Sequence, residues 1–392
     1  VAREDLQRAW SRASLPGVVA LLACAVACSS DPAPLDLERD APVVVPIDAA
    51  PNDARGVDTA AEADPLETDA HASPDADPSL GSDASTSADA DARPRPTDTR
   101  PGATSPILID GRRAHLHDGG SPAGWFHTYD DLAFGDEPPR KVHVLLPRDH
   151  GPGKRFPVVY IHDGDTTFWP GGAAGKSLRA QDRLSALYAR AAIPHVIVVA
   201  IEPVDREREY THRSVAPERS CCGLSGYTAW VADRLKPWID AQYRTDPAAR
   251  STVVLGASHG GLAAFYFASV RRDRFGAAIA MSSSFWVGLD PIADDPDLAR
   301  SRLLAEARSG LSGSDRPRFW LDWGLVREGG FHNSWIEERA TARGREMAAL
   351  LERDFGYVRG RDLFVREDPA GGHDEDAWSG RLESALIAIL GR

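Results

Sequence analysis

The chain has 392 residues and a formal net charge of −13. Nearly all of that charge sits in one stretch: residues 29–100 carry 14 Asp and 3 Glu against 5 Arg and no aromatic residue, whereas nine of the ten Trp lie beyond residue 100. The remaining nearly neutral body of roughly 290 residues can build one large core, and its lack of a positive field excludes a strongly basic nucleic-acid binder.

Arg3, Arg8 and Arg12 precede an apolar run over residues 15–27. A run of this length is too short to span a bilayer, and a charged start before a short apolar core reads as a secretory signal. It ends in Ala25-Val26-Ala27-Cys28-Ser29-Ser30, with Leu21-Leu22-Ala23-Cys24 just before. Both resemble a bacterial lipobox, in which a Cys after small residues is lipidated. Cys28 is preferred and Cys24 is the alternative, with an ordinary cleaved signal as the third reading. Residues 1–28 are therefore expected to be a lipoprotein-type signal. The protein is expected to be exported from a bacterial cell and to touch the membrane by its lipid anchor alone, facing the periplasm or the exterior.

Residues 29–105 are Asp, Ala, Pro, Ser and Thr in irregular order. Such a segment buries too little apolar surface to offset the entropy of ordering, so it reads as a disordered tether. No fixed period or turn glycine supports a calcium-binding repeat. Residues 106–392 form the expected folded domain.

From residue 141 the pattern becomes regular. Strands are expected at 141–146, 157–162, 195–201, 251–255, 275–281, 319–323 and 362–366. Helices are expected at 178–190, 226–242, 260–272, 334–355 and 376–390. Alternation of this kind implies an α/β fold, a mostly parallel central sheet with helices on both faces. Ligands on such sheets bind beyond the carboxyl ends of the strands.

Gly256-Ala257-Ser258-His259-Gly260-Gly261 follows one of those strands and precedes a helix. This is G-x-S-x-G in its meaningful context, a tight turn that presents the Ser hydroxyl above the sheet. Ser258 is the candidate nucleophile, and the His259 N–H at the helix start is a candidate oxyanion donor. A Ser hydroxyl needs a base, and the base needs a carboxylate. His373, in Gly371-Gly372-His373-Asp374-Glu375 after the last strand, is the candidate base, and His332 is read as a surface or lining residue. Glu328, in the loop after the strand 319–323, is the candidate acid, with Asp322 next. The second oxyanion donor is assigned to the Asp165 N–H, after His162-Asp163-Gly164.

Gly171-Gly172-Ala173-Ala174-Gly175-Lys176-Ser177 imitates a phosphate loop, but Pro170 stands where the first Gly is required. It reads as an active-site loop, with Phe168 and Trp169 as candidate substrate walls. Adjacent His162 and Asp163 point to opposite sides of a strand, which argues against a metal site. Cys221 and Cys222 either form a vicinal disulfide or remain thiols.

Together these segments resemble the "putative esterase" family of α/β-hydrolases, which includes enterochelin-esterase-like and esterase-D-like members. The resemblance rests on residues 157–164, the elbow 256–261, Leu321-Asp322-Trp323-Gly324 with Glu328, and Gly372-His373 with Trp378. Residues 205–211 are also similar to an Asp-x-Arg-x-x-Glu-Leu-Thr stretch of the siderophore-esterase branch. Ser283-Ser284-Phe285-Trp286 is similar to the family's Ser-x-Ser-Phe-Trp region, which makes Trp286 a pocket candidate. The resemblance implies the α/β-hydrolase fold and hydrolysis of a carboxylic ester through an acyl-enzyme, without metal or organic cofactor. It implies Ser258, His373 and Glu328 as the triad, with Asp165 and His259 as backbone donors. The family usually places its acid three residues after the strand's Gly, whereas Glu328 stands four after Gly324. An acyltransferase of the same fold and a non-catalytic surface binding module are the alternatives.

Overall fold

The computed structural model describes residues 104–172, 175–216 and 218–391. The signal segment with Cys24 and Cys28, and nearly all of the expected tether, lie outside the described residues. Among the described residues, ten strands form one sheet in the order β1-β2-β3-β4-β6-β5-β7-β8-β9-β10. Four of them, β1 (Thr104–Ile109), β2 (Arg112–His117), β3 (Trp125–Leu132) and β4 (Arg140–Leu146), run antiparallel to their neighbours. β4 joins antiparallel to β6 (Ile197–Ile201), which lies beside β5 (Val158–His162). From β6 onward every pairing is parallel, through β7 (Thr252–Ala257), β8 (Ala277–Met281), β9 (Arg318–Gly324) and β10 (Leu363–Asp368).

All seven expected strands are present, and β1–β3 come in addition. β1 begins at Thr104, inside the stretch 29–105 read as tether. The β1–β2 hairpin turns on Asp110-Gly111, both at positive φ (49° and 71°), the backbone that favours an Asp-Gly pair in a two-residue hairpin.

The helices are α1 (Gly164–Thr167), α2 (Ala180–Ala189), α3 (Arg206–Tyr210), α4 (Leu224–Trp230), α5 (Lys236–Gln242), α6 (His259–Val270), α7 (Arg302–Ala307), α8 (Glu338–Phe355) and α9 (Glu375–Leu390). A π-helical turn, Val231–Leu235, joins α4 to α5, and a second, His332–Glu337, leads into α8.

The strand sequences are apolar throughout because helices cover both faces. In β5, Val158 and Tyr160 enter one core while Val159 and Ile161 enter the other. In β6, Ile197, Val199 and Ile201 alternate in the same way with Val198 and Ala200. One core receives α4–α8 and the other α2 and α9. α6 is buried from Gly260 to Ser269, which accounts for its nearly unbroken apolar sequence. The architecture is the α/β-hydrolase fold, and the carboxyl ends of β5, β7, β8, β9 and β10 point to one end of the sheet. Among the described residues no helix is long and apolar enough to cross a membrane.

Candidate active site

β7 ends at Ala257 and α6 starts at His259, so Ser258 makes the whole turn, at φ 57° and ψ −121°. That is a costly backbone for a residue with a side chain, and such strain concentrates at functional sites. Two bonds from the β8 side hold it: the Ser258 N–H donates to the Met281 carbonyl (2.9 Å), and the Ser284 N–H donates to the Ser258 carbonyl (3.0 Å). The flanking glycines are required by space. A Cβ on Gly256 would lie 2.2 Å from the Gly260 carbonyl oxygen, and one on Gly261 would lie 2.6 Å from Ser283 Oγ.

His373 arrives in the loop between β10 and α9, and its Nε2 lies 2.9 Å from Ser258 Oγ. Its backbone N–H donates to Asn333 Oδ1 (2.8 Å), and its ring meets Trp378 edge-on. Asp374 then caps α9 by accepting from the Ala377 N–H. The Nδ1 atom of His373 donates to the carboxylate of Glu337, at the end of the π-helical turn. With its Nδ1 proton on the carboxylate, the ring keeps Nε2 free to accept from Ser258. Glu337 is completely buried, and its other oxygen accepts from the Gly324 N–H and from Ser282 Oγ.

The expected acid is therefore corrected. Glu328 lies exposed in the loop after β9, and its carbonyl accepts from Asn333. Asp322 is held elsewhere: it is buried in an ion pair with Arg381 (3.0 Å) and accepts from Trp320 Nε1 (2.7 Å). The readable signal for Glu337 was a carboxylate on an apolar stripe, since Ala340, Thr341, Gly344 and Met347 are buried at helical spacing after it.

The β5–α1 turn abuts the start of α6. A Cβ on Gly260 would lie 3.2 Å from Asp163 Oδ2 and 3.3 Å from the His162 Cβ. α3 fixes this turn, because Arg206 forks onto both Asp163 oxygens (2.7 and 2.9 Å) and the Tyr210 hydroxyl accepts from the Asp163 N–H. Asp165 and His259 thus stand in the first turns of α1 and α6, where backbone N–H groups have no partner within their own helix. His162 is buried below them, and its ring is pushed down to about 4 by desolvation. Burial, with the charge of Arg206 next, pushes the His259 ring down to about 3. The neutral ring bonds Ser284 Oγ at 3.1 Å.

An aromatic wall leads outward from this point. The Trp286 ring lies 5.5 Å from His259 and 5.3 Å from Trp335, and Phe331 stacks on Trp335 at 5.3 Å. His332 lies 6.3 Å from His373. The expected walls Phe168 and Trp169 are corrected. Phe168 is buried against Phe126, and Trp169 packs on His117, Phe126 and His143. The unanticipated strands β2 and β3 supply two of those partners, drawing the Phe168 ring into the core and the half-buried Trp169 ring against it. Among the described residues no group of His, Cys, Asp or Glu is arranged to hold a metal ion.

A Ser–His–carboxylate relay beneath two helix starts is the arrangement used for nucleophilic acyl chemistry. The model of the family described as "Putative esterase" matches residues 137–389, which takes in every one of these groups. The chain belongs to that family. Among curated proteins, this esterase-family chain is 27% identical over 250 residues to an Iron(III) enterobactin esterase of Escherichia coli O6:H1, covering 64% of this chain and 53% of that protein. It is also 27% identical over 162 residues to a Mycobacterium tuberculosis protein named as an esterase, covering 41% and 32% of the two chains. The chain thus spans about half the length, or less, of these curated relatives. Among solved structures, the BES protein from Bacillus cereus matches with a TM-score of 0.50 at 16% identity, covering 67% of this chain and 94% of that one, a likeness of fold alone.

Proposed function

We propose that this protein is a serine esterase that cleaves a carboxylic ester through an acyl-enzyme on Ser258. The observation that carries the reading is the continuous chain from Ser258 Oγ to His373 Nε2, and from His373 Nδ1 to the buried Glu337. In the first half-reaction Ser258 Oγ bonds to the acyl carbon while its proton passes to His373 Nε2. Glu337 stabilises the imidazolium that forms. The negative charge on the carbonyl oxygen falls to the N–H groups of His259 and Asp165. The tetrahedral species then collapses, the ester C–O bond breaks, and His373 gives its proton to the departing alcohol. Water repeats the sequence on the acyl-enzyme, and the acid is released.

For the substrate we infer an ester with a bulky planar group, seated against Trp335 and Phe331, with the buried Trp286 ring behind Trp335. The relatives named for enterobactin hydrolysis support this class, and a siderophore-like ester is the leading candidate within it. The signal-like residues 1–28, with Cys28 as lipidation site, support an exported, lipid-anchored location.

Fluorophosphonate labelling of the folded protein, followed by a panel of esters differing in acyl and alcohol parts, tests the reading. Labelling is expected in the parent protein and lost in Ser258→Ala. A folded parent protein that neither labels nor hydrolyses any ester would make this a binding module instead.

A further inference from the structure

The proposed triad does not end at Glu337. Behind it Ser282, in the loop after β8, is completely buried and makes three side-chain hydrogen bonds. Its Oγ accepts from Arg381 Nη2 (2.9 Å) and from Trp378 Nε1 (3.1 Å), both on α9, and lies 3.0 Å from Glu337 Oε1. A hydroxyl oxygen has two lone pairs and one proton, and neither a guanidinium nor an indole N–H can accept. Both lone pairs are therefore taken, and the single proton can go only to Glu337. The direction of this bond is dictated by its neighbours.

Arg381 is itself fully buried. Its Nε donates to Asp322 (3.0 Å), and its Nη1 faces Asp368 at 3.4 Å. A buried cation thus stands one hydroxyl away from the carboxylate that holds His373. In so dry a setting, hydrogen bonds between charged and polar groups polarise one another.

We propose that Ser282 is a positioning residue of the esterase relay, transmitting the Arg381 charge to Glu337 and fixing that carboxylate in the orientation His373 requires. The proposal rests on the serine-esterase reading. It explains why a residue with a side chain occupies a φ of 40° at the Ser282 turn, and why α9 sends two donors to one small hydroxyl. The charged and titratable groups around His373 are Glu337 at Nδ1, the His332 ring at 6.3 Å, His259, and the adjacent Asp374, which is paired with Lys176. Behind Ser282 stand Arg381, Asp322 and Asp368.

Removing the hydroxyl withdraws one of three donors from Glu337. The less neutralised carboxylate then holds the imidazolium form of His373 more tightly, so the base stays protonated to higher pH. The test measures the second-order rate of fluorophosphonate labelling against pH for the full chain. Ser282→Ala is expected to label about tenfold to a hundredfold more slowly at the optimum, with its acid limb moved up by about half a unit to one unit. Arg381→Lys keeps a cation beside Asp322 and withdraws the donor to Ser282. It is expected to move the limb in the same direction by less, and it carries the test if Ser282→Ala does not fold. A folded Ser282→Ala protein with an unshifted limb overturns the role of Ser282 and leaves the esterase reading intact. A folded parent protein that never labels overturns both.

Discussion

Replacing Glu337 by Gln separates the triad acid from its rivals, and the structure dictates how the amide will sit. Glu337 Oε1 accepts two donors, the Gly324 N–H and the Ser282 hydroxyl, whereas the other oxygen faces His373 Nδ1. In Glu337→Gln the amide oxygen must occupy the doubly donated position, because an NH2 there would meet two donors. The NH2 then points at His373 Nδ1, which must accept. The ring proton moves to Nε2, and the group facing Ser258 at 2.9 Å becomes a donor that cannot take the Ser proton. A wrong tautomer in a triad of this kind costs about 10⁴ in kcat. We expect a loss of about 10³ to 10⁴, equivalent to roughly 4–5.5 kcal/mol of transition-state stabilisation. Glu328→Gln, altering an exposed carboxylate, should change the rate less than about twofold. The assay is hydrolysis of an aryl ester together with fluorophosphonate labelling, with thermal melts to confirm folding. A folded Glu337→Gln protein within tenfold of the parent, or a Glu328→Gln protein that loses activity, would refute the assignment.

Other substitutions and conditions test the remaining parts. His373→Ala should lose about three orders of magnitude or more in kcat, read in the same ester assay. Trp335→Ala removes the middle of the aromatic wall and should raise KM for aryl esters about threefold to tenfold, with smaller change for short alkyl esters. Desolvation pushes both buried histidines His162 and His212 down to about 4. Between pH 6.5 and 4 the unfolded chain binds more protons at these rings, so stability is full above pH 6.5 and falls as pH drops. The loss is at most about 3 kcal/mol for each ring. Urea unfolding across that range should reveal it, and His212→Phe should reduce the total loss between pH 6.5 and 4 by about 3 kcal/mol; an unchanged loss would show that His212 is hydrated. Cys221 and Cys222 are joined in the structure, so a thiol reagent should modify their peptide only after reduction.

Much of the sheet was legible because helices cover both its faces, which turns β5, β6, β7 and β8 into short apolar runs bounded by turns. The strands β1–β3 were illegible for the opposite reason. β2 reads Arg-Arg-Ala-His-Leu-His, and β3 carries Thr128 on its buried side. Those polar groups are satisfied by one another: His117 Nε2 lies 3.1 Å from Thr128 Oγ1, which lies 2.8 Å from His143 Nδ1. A core built partly of hydrogen-bonded polar residues erases the period on which strand reading depends. The proposed nucleophile was legible because its backbone needs glycine on both sides, a demand written into the chain at Gly256, Gly260 and Gly261. The proposed base, His373, followed from the order of the remaining histidines. Phe168 and Trp169 were misplaced because their partners, Phe126 and His117, belong to the strands that had not been read.

The proposed acid escaped sequence reading because a loop was expected to supply it, whereas Glu337 stands on a helical turn. Asn333 and Glu337, four residues apart in the π-helical turn, both address His373, one at its backbone N–H and the other at Nδ1. π-helical turns recur at functional sites, and here the turn brings two grips on the base from a single element. Glu328 would have to be ordered out of solvent, with the side-chain entropy of a free glutamate opposing it. Glu337 is locked by the burial of α8 against β9, where Gly344 lets the Trp323 ring lie directly on the helix. A carboxylate carried on a packed helix is held more closely than one on a loop. Four residues after Gly324 the chain offers an acid with freedom to reach; thirteen residues after it, one that is already fixed, and the proposed relay through the His373 ring, 2.9 Å from Ser258, uses the fixed one.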